Sequence, residues 1–244
     1  MTVAPCLRWA WRCLLALGCG LAGAGQGPAI EMATYNLRLN LASDGANAWP
    51  KRREMVKSLV SYHRFDLIGT QEGLIDQIRD LEQMAEFARV GRGRDDGLDA
   101  GEHSAIFYRR DRFELLASGD FWLSPTPHLP SKGWDARCCK RLASWAQLRD
   151  KASGRSLAVF SVHFDHEGEQ ARRESAQLML RKMDEIAAGL PVVCLGDFNS
   201  TPDTPQMQAL SARLHDARTW SLSPPYGPVG TFNGFQLDAP MSER

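Results

Sequence analysis

Apolar positions along this chain follow two periods, one helical and one alternating. Residues 51–62 follow Trp49-Pro50, so that proline sits in the first turn, and carry Met55, Leu59 and Val60 on one predicted helical face. Residues 74–87 repeat the pattern with Ile75, Ile78, Leu81, Met84 and Ala85. Residues 169–188 form the longest predicted helix, which stops at Gly189 with Pro191 beyond. Between these, residues 30–37, 67–70, 104–108, 113–121, 144–149, 156–164 and 192–195 read as strands. The middle third is strand after strand. A parallel doubly wound sheet therefore fits poorly, and two packed mixed sheets with helices outside fit better.

Four of the strand-like runs end on polar residues. Gly196-Asp197-Phe198-Asn199 follows the apolar run 191–195, and two short polar side chains two residues apart share one face of an extended chain. An Asx-type turn continued by Thr201, Pro202 and Asp203 is the alternative. Residues 31–35 end on Asn36, residues 65–70 on Gln71-Glu72, and residues 157–162 on His163-Phe164-Asp165. Carboxylates with neutral Asn and His suit a hard cation such as magnesium, which takes oxygen ligands. Taken singly, Glu72 could instead favour the positive end of a helix starting near Leu74, and His163 could be a strand histidine satisfied by backbone. Whether Asp165 orients His163 or lines a cleft stays open.

The order Asn, Glu, His-x-Asp, Asp-x-Asn, with G-D-F-N towards the C-terminus, resembles the endonuclease/exonuclease/phosphatase superfamily over residues 30–244. The resemblance implies an α/β fold, a four-layer α/β/β/α sandwich of two mixed β-sheets with outer helices. It also implies hydrolysis of phosphate esters, as phosphodiesterase, nuclease or phosphatase, with magnesium or manganese as cofactor. By the same resemblance Glu72 holds the metal, Asp197 activates the attacking water, and Asn199 holds that water or a phosphoryl oxygen. Asn36 hydrogen-bonds near the metal and the phosphate, and His163 donates to the phosphate; Ser161-Val162 stands here where the family has Asn-Thr. Tyr108, in Ile106-Phe-Tyr-Arg-Arg110, and Arg141 with Trp145 lie in stretches similar to a bacterial branch, as do residues 121–127 and the aromatic loop 231–235. Asp165, Tyr108 and Arg141 are the substrate-binding candidates. Relatives continue into an I-D-x-I-F strand and an S-D-H motif, whereas this chain stops at Arg244. The last strands are accordingly expected to be missing and activity to be slowed. The alternative is an inactive remnant that at most binds a metal or phosphate through Glu72 and Asp197.

At 244 residues and 43% hydrophobic content, one domain is expected over residues 30–244, as a monomer. Lys plus Arg and Asp plus Glu both number 29, so no strong general field attracts nucleic acid, although a local basic cleft stays possible. Residues 91–97, rich in Gly, Arg and Asp, read as a solvated loop. Residues 1–29 look like a signal peptide: Arg8 and Arg12, an apolar run over 14–21, then Ala22-Gly23-Ala24. That run is too short to span a bilayer, so no transmembrane segment is expected and export, periplasmic or secreted, is favoured over anchoring. Lipidation at Cys19 and an untargeted N-terminus are the alternatives. Cleavage would leave Cys138, Cys139 and Cys194, an odd count that cannot form a complete disulfide framework. Adjacent Cys138 and Cys139 could ligate a metal, but no second pair has zinc-site spacing. His163 and His166 beside Asp165 have the residue types of a transition-metal site; a spacing of three suits a helix face better than a strand end, so that reading is set aside. No P-loop, G-x-S-x-G or H-E-x-x-H motif is present.

Overall fold

Runs rich in β-branched and aromatic residues form strands β1 (Met32–Asn36), β2 (Leu67–Gln71), β3 (Phe87–Val90), β4 (Ile106–Arg109), β5 (Phe113–Trp122), β6 (Leu142–Asp150), β7 (Ser156–His163) and β8 (Val192–Asp197). The helices are α1 (Trp49–His63), α2 (Ile75–Glu82), α3 (Glu169–Ala187) and α4 (Pro205–Ser211), with a 3-10 segment at Ala42–Asn47. The computed structural model describes residues 29–228, 230–236 and 238. The signal-peptide reading, with Cys6, Cys13 and Cys19, lies outside the described residues, as do residues 239–244.

The strands make two mixed sheets, ordered β1-β2-β4-β3 and β5-β6-β7-β8. Each holds one parallel pair, β1 with β2 and β7 with β8, joined by α1 and by α3 respectively. Such crossovers leave a helix on the outer face of each sheet. Three apolar cores follow. Val56, Val60, Ile78 and Leu81 pack on the first sheet, and Ala176, Met179 and Met183 on the second. Leu67, Ile106, Leu148 and Val159 fill the space between the sheets. This is the α/β/β/α layering, and no helix among the described residues is long and apolar enough to cross a membrane.

Several local expectations are corrected. The face that α1 buries runs through Trp49, Val56 and Val60, anchored by Trp49 Nε1 donating to Asp80 Oδ2 at 2.8 Å, while Met55 and Leu59 are exposed. Helix α2 ends at Glu82, and Phe87, read as its last turn, opens β3 beside β4. Met84 and Phe87 still reach the same core, so the apolar spacing was preserved by a turn rather than by a helix. The loop 91–97 is not wholly solvated: Gly93 and Gly97 are buried, and Gly93 bridges His103. Strand β8 is half-buried along its whole length because it ends its sheet beside a groove of about 920 Å³ lined by Met32, Thr34, Cys194, Met207 and Leu210.

The sheets are pinned together near the C-terminal ends of the parallel pairs. A Cβ on Gly69 would lie 2.8 Å from Leu195 Cβ and 3.1 Å from Ser161 Oγ, so only glycine lets β2 come this close to β7 and β8. Gln71 Nε2 donates to Ser161 Oγ at 3.3 Å, and that hydroxyl donates to Thr70 O at 3.2 Å, both buried.

Candidate active site

Asn36, Glu72, His163 and Asp197 all stand at the C-terminal ends of the two parallel pairs. Asn36 pairs in register with Gln71, one residue before Glu72, and His163 with Asp197. Parallel pairing puts the ends of both strands on one rim, and the contact between sheets brings the two rims together. Asn36 Nδ2 donates to Glu72 Oε1 at 2.8 Å and to Asp197 Oδ2 at 2.9 Å. One amide therefore holds two carboxylates from opposite sheets.

Each carboxylate is fixed a second time by backbone. Glu72 Oε2 accepts the Leu39 N–H at 3.0 Å, and Asp197 Oδ1 accepts the Asn199 N–H at 3.0 Å. Asn199 Nδ2 donates to Phe164 O at 3.0 Å, tying the turn after β8 to the end of β7. Glu72 and Asn199 both have left-handed backbones, at φ +62 and +46. Such a residue costs of order 1–3 kcal/mol, a strain that surrounding structure must hold. At Glu72 the constraint comes from Asn36 and Leu39.

His163 faces this group from the second sheet. Its Nδ1 lies 2.9 Å from Arg141 Nη1 and 3.7 Å from Glu102 Oε2, so it accepts from the nearer guanidinium. The ring proton then sits on Nε2, which is 3.9 Å from Asp197 Oδ2, a gap that an oxygen atom could bridge. Arg141 precedes β6, which runs antiparallel to β7, and so arrives at the same rim. Its Nη2 lies 2.8 Å from His166 Nδ1 and its Nε 3.5 Å from Asp165 Oδ2. One guanidinium thus fixes both imidazoles. The spacing of His163 and His166 serves that role, with His163 inside and His166 exposed.

Burial lowers the Arg141 pKa from its ordinary value, and Arg94 nearby adds to this against the pull of Glu102 and Asp165. Burial alone would raise the Asp165 carboxyl, but the N–H groups of Gly168 and Glu167, with Arg141, hold it below the usual carboxylate range. Glu102 behaves alike: burial raises it, while Arg94 and Arg141, joined by His163 only when its ring is protonated, bring it below its usual value. Glu102 and Arg94, paired at 2.7 Å, had no role in the sequence reading. Their signal was a Glu-His pair just before β4, at the start of an antiparallel strand, where only the topology shows that it reaches the rim.

Asn36, Glu72, His163, Asp197 and Asn199 are brought together, with Arg141 and Asp165 behind His163. Tyr108 is not. It pairs with Leu67, at the start of β2 rather than at its end, and its ring is buried in the core between the sheets. The expectation that it binds substrate gives way to packing. Phe235, of the aromatic loop, lies 5.5 Å from the Arg52 guanidinium, and Phe232 is exposed. Cys138 and Cys139 are joined to each other in a disulfide, and Cys194 is the free cysteine among the described residues.

The donor set fits a hard divalent cation. Glu72 Oε1 and Asp197 Oδ2 converge on a single nitrogen, and the other atoms facing them are an amide and an imidazole N–H. Glu72 and Asp197 are the carboxylates that could hold such an ion.

A mannosyl-6-phosphatase from Bacteroides thetaiotaomicron is 43% identical to this chain, with a TM-score of 0.74 over 76% of this chain and 71% of that one. A conserved Enterococcus faecalis protein of unknown function is 32% identical, with a TM-score of 0.81 over 87% of this chain and 82% of that one. An uncharacterized protein of Acanthamoeba polyphaga mimivirus is 24% identical over 225 residues, 78% of this chain, and the match spans 33% of that relative's length. Residues 33–240, from within β1 to beyond the aromatic loop, match the Endonuclease/Exonuclease/phosphatase family, and the chain belongs to it.

Proposed function

We propose that this chain is a divalent-metal-dependent hydrolase of small phosphate monoesters, with a sugar phosphate as its first candidate substrate. The observation that carries this reading is the convergence of Glu72 and Asp197 on Asn36, with His163 Nε2 facing them across 3.9 Å. Two facts support a small ester over a polynucleotide. The net charge is zero, and the 43% identical relative is a mannosyl-6-phosphatase.

A magnesium or manganese ion at Glu72 would neutralise charge on the phosphoryl oxygens and ease deprotonation of a water. The side chains do the rest. Asp197 Oδ2 is the acceptor for a proton of the attacking water, held in place through Asn36 and the Asn199 N–H. His163 Nε2–H donates to a phosphoryl oxygen, and Arg141 keeps the ring in the tautomer that can do so. Asp165 is a positioning residue that acts through Arg141. The basic and apolar character of residues 1–28 supports a site of action outside the cytoplasm.

The test is release of inorganic phosphate from mannose 6-phosphate by the purified chain with magnesium or manganese, beside single-stranded DNA as a diester control. Release that stops with a chelator and in Asp197→Ala supports the reading. A folded, metal-supplied chain that releases phosphate from no monoester overturns it. If such a chain still binds phosphate, the remnant reading takes its place.

A further inference from the structure

We propose that Cys138, Asp165 and His166 form a second metal site, separate from the Glu72 cluster, that takes a zinc-type divalent ion when the Cys138–Cys139 disulfide is reduced and then withdraws His166 from Arg141. These three residues are the group among those described whose ligand atoms come within 4.8 Å of one another. A thiolate, a carboxylate and an imidazole make a borderline-soft set that suits zinc and leaves a fourth position for water. The Glu72 cluster, built on oxygen ligands, suits magnesium instead.

The site is built rather than incidental. Asp165 is 2% exposed, and its Oδ1 takes the N–H groups of Glu167 and Gly168 at 3.0 and 2.7 Å. Its Oδ2 is buried with no hydrogen-bond partner among the described residues, and the cation facing it is Arg141 Nε at 3.5 Å. A buried carboxylate oxygen left this way is costly unless something else binds it. Cys138 and His166 lie on the exposed side, which gives an ion a way in. The loop carrying Cys138 is docked independently of its disulfide, because Asp135 accepts the N–H groups of Gln170 and Ala171 at 3.1 and 2.6 Å. Opening the disulfide therefore leaves Cys138 near its partners.

The disulfide sets the gate. While Cys138 Sγ is bonded to Cys139, it is no thiolate, and two donors remain. A dithiol reductant supplies two electrons and two protons, is itself oxidised to a disulfide, and leaves thiols on both cysteines. Metal binding then displaces the Cys138 thiol proton to solvent.

The imidazole couples the site to His163. His166 Nδ1 accepts from Arg141 Nη2 at 2.8 Å. If the ion takes Nδ1, that lone pair is used. If it takes Nε2, the ring proton moves to Nδ1 and faces the guanidinium N–H. Either way the hydrogen bond to Arg141 is lost, and Arg141 is the donor that fixes His163.

The experiment titrates the full chain with cobalt(II), then zinc, in excess magnesium, before and after reduction with a water-soluble phosphine. The phosphine becomes its oxide with the oxygen of a water and does not compete as a thiol would. The reduced chain is expected to bind one ion with a thiolate-to-cobalt charge-transfer band and the oxidised chain to lack that band. Cys139→Ser cannot form the pair, so it is expected to bind without reductant. Cys138→Ser and His166→Gln, checked for folding by circular dichroism, are expected to bind more weakly by more than the ~10- to 100-fold that loss of an outer partner causes. In nitrogen-15 spectra of Cys139→Ser, zinc is expected to shift the His166 ring nitrogens. Equal binding by oxidised and reduced chains, a band that survives Cys138→Ser, a folded Cys139→Ser that binds nothing, or His166 nitrogens unmoved by zinc would each overturn the proposal.

Discussion

Asn36 and Asp197, 161 residues apart, meet where the two sheets join: Asn36 Nδ2 donates to Asp197 Oδ2 at 2.9 Å. The same nitrogen donates to Glu72 Oε1, so one neutral amide separates two carboxylates that would otherwise repel. Replacing it by aspartate sets three acids together. Asn36→Asp is expected to lose ~10²- to 10³-fold in phosphate-ester turnover, the range for removing one placed donor. Raising the divalent cation should recover part of the loss in Asn36→Asp and less in Asn36→Ala, which brings no charge. Turnover against cation concentration for both variants checks this, and identical cation dependence would contradict it.

Gly69 is where β2 presses on β7 and β8. The added methyl of Gly69→Ala meets Leu195 Cβ and Ser161 Oγ closer than ordinary contact allows. Overpacking of this kind costs ~1–3 kcal/mol. The expected outcome is a lower thermal midpoint together with lower turnover, because Asn36 and Asp197 face each other across the same seam. A variant with unchanged midpoint and turnover would show that the sheets tolerate separation here.

Arg141 and Asp165 are 5% and 2% exposed, and their charges face each other at 3.5 Å. Breaking a buried pair by removing one partner costs ~3–5 kcal/mol, mostly because the other charge is left alone. Arg141→Met is expected to destabilise the chain by that order in urea denaturation. Arg141→Met with Asp165→Asn should be less destabilised than the single variant. If the double variant loses the sum of the two single losses, the pair is not coupled.

The four strand-end residues were legible in the sequence because parallel strands deliver their last residues to one rim and the polar run after each apolar stretch marks that end. Glu102 and Arg94 were not. They precede β4, and an antiparallel neighbour brings the start of its strand to the rim, which no local pattern records. Tyr108 misled for the same reason, since its register set it beside Leu67 at the far end. The helical faces failed where period alone was used. Met55 and Leu59 have the right spacing, yet Trp49 and its bond to Asp80 decide which face turns inward.

His103 makes stability depend on pH. It is 1% exposed, its Nδ1 donates to Gly73 O at 2.9 Å, and its Nε2 is buried without a partner among the described residues. Burial, opposed by that hydrogen bond and helped by Arg89, holds its pKa below the ordinary 6.5. Well above pH 6.5 neither the folded nor the unfolded chain carries the proton, so stability is complete there. As pH falls through 6.5 the unfolded chain takes up a proton that the folded one refuses, and stability declines until the folded pKa is passed. His103→Asn keeps a donor for Gly73 and cannot titrate. Thermal midpoints between pH 8 and about pH 5, above the main carboxylate range, should fall for the parent and stay flatter for the variant. Because His103 bridges Gly73 and Gly93 and sits beside Glu102, the same decline is expected to loosen the loop that brings Glu102 to His163. Equal slopes in both proteins would place the acid sensitivity elsewhere.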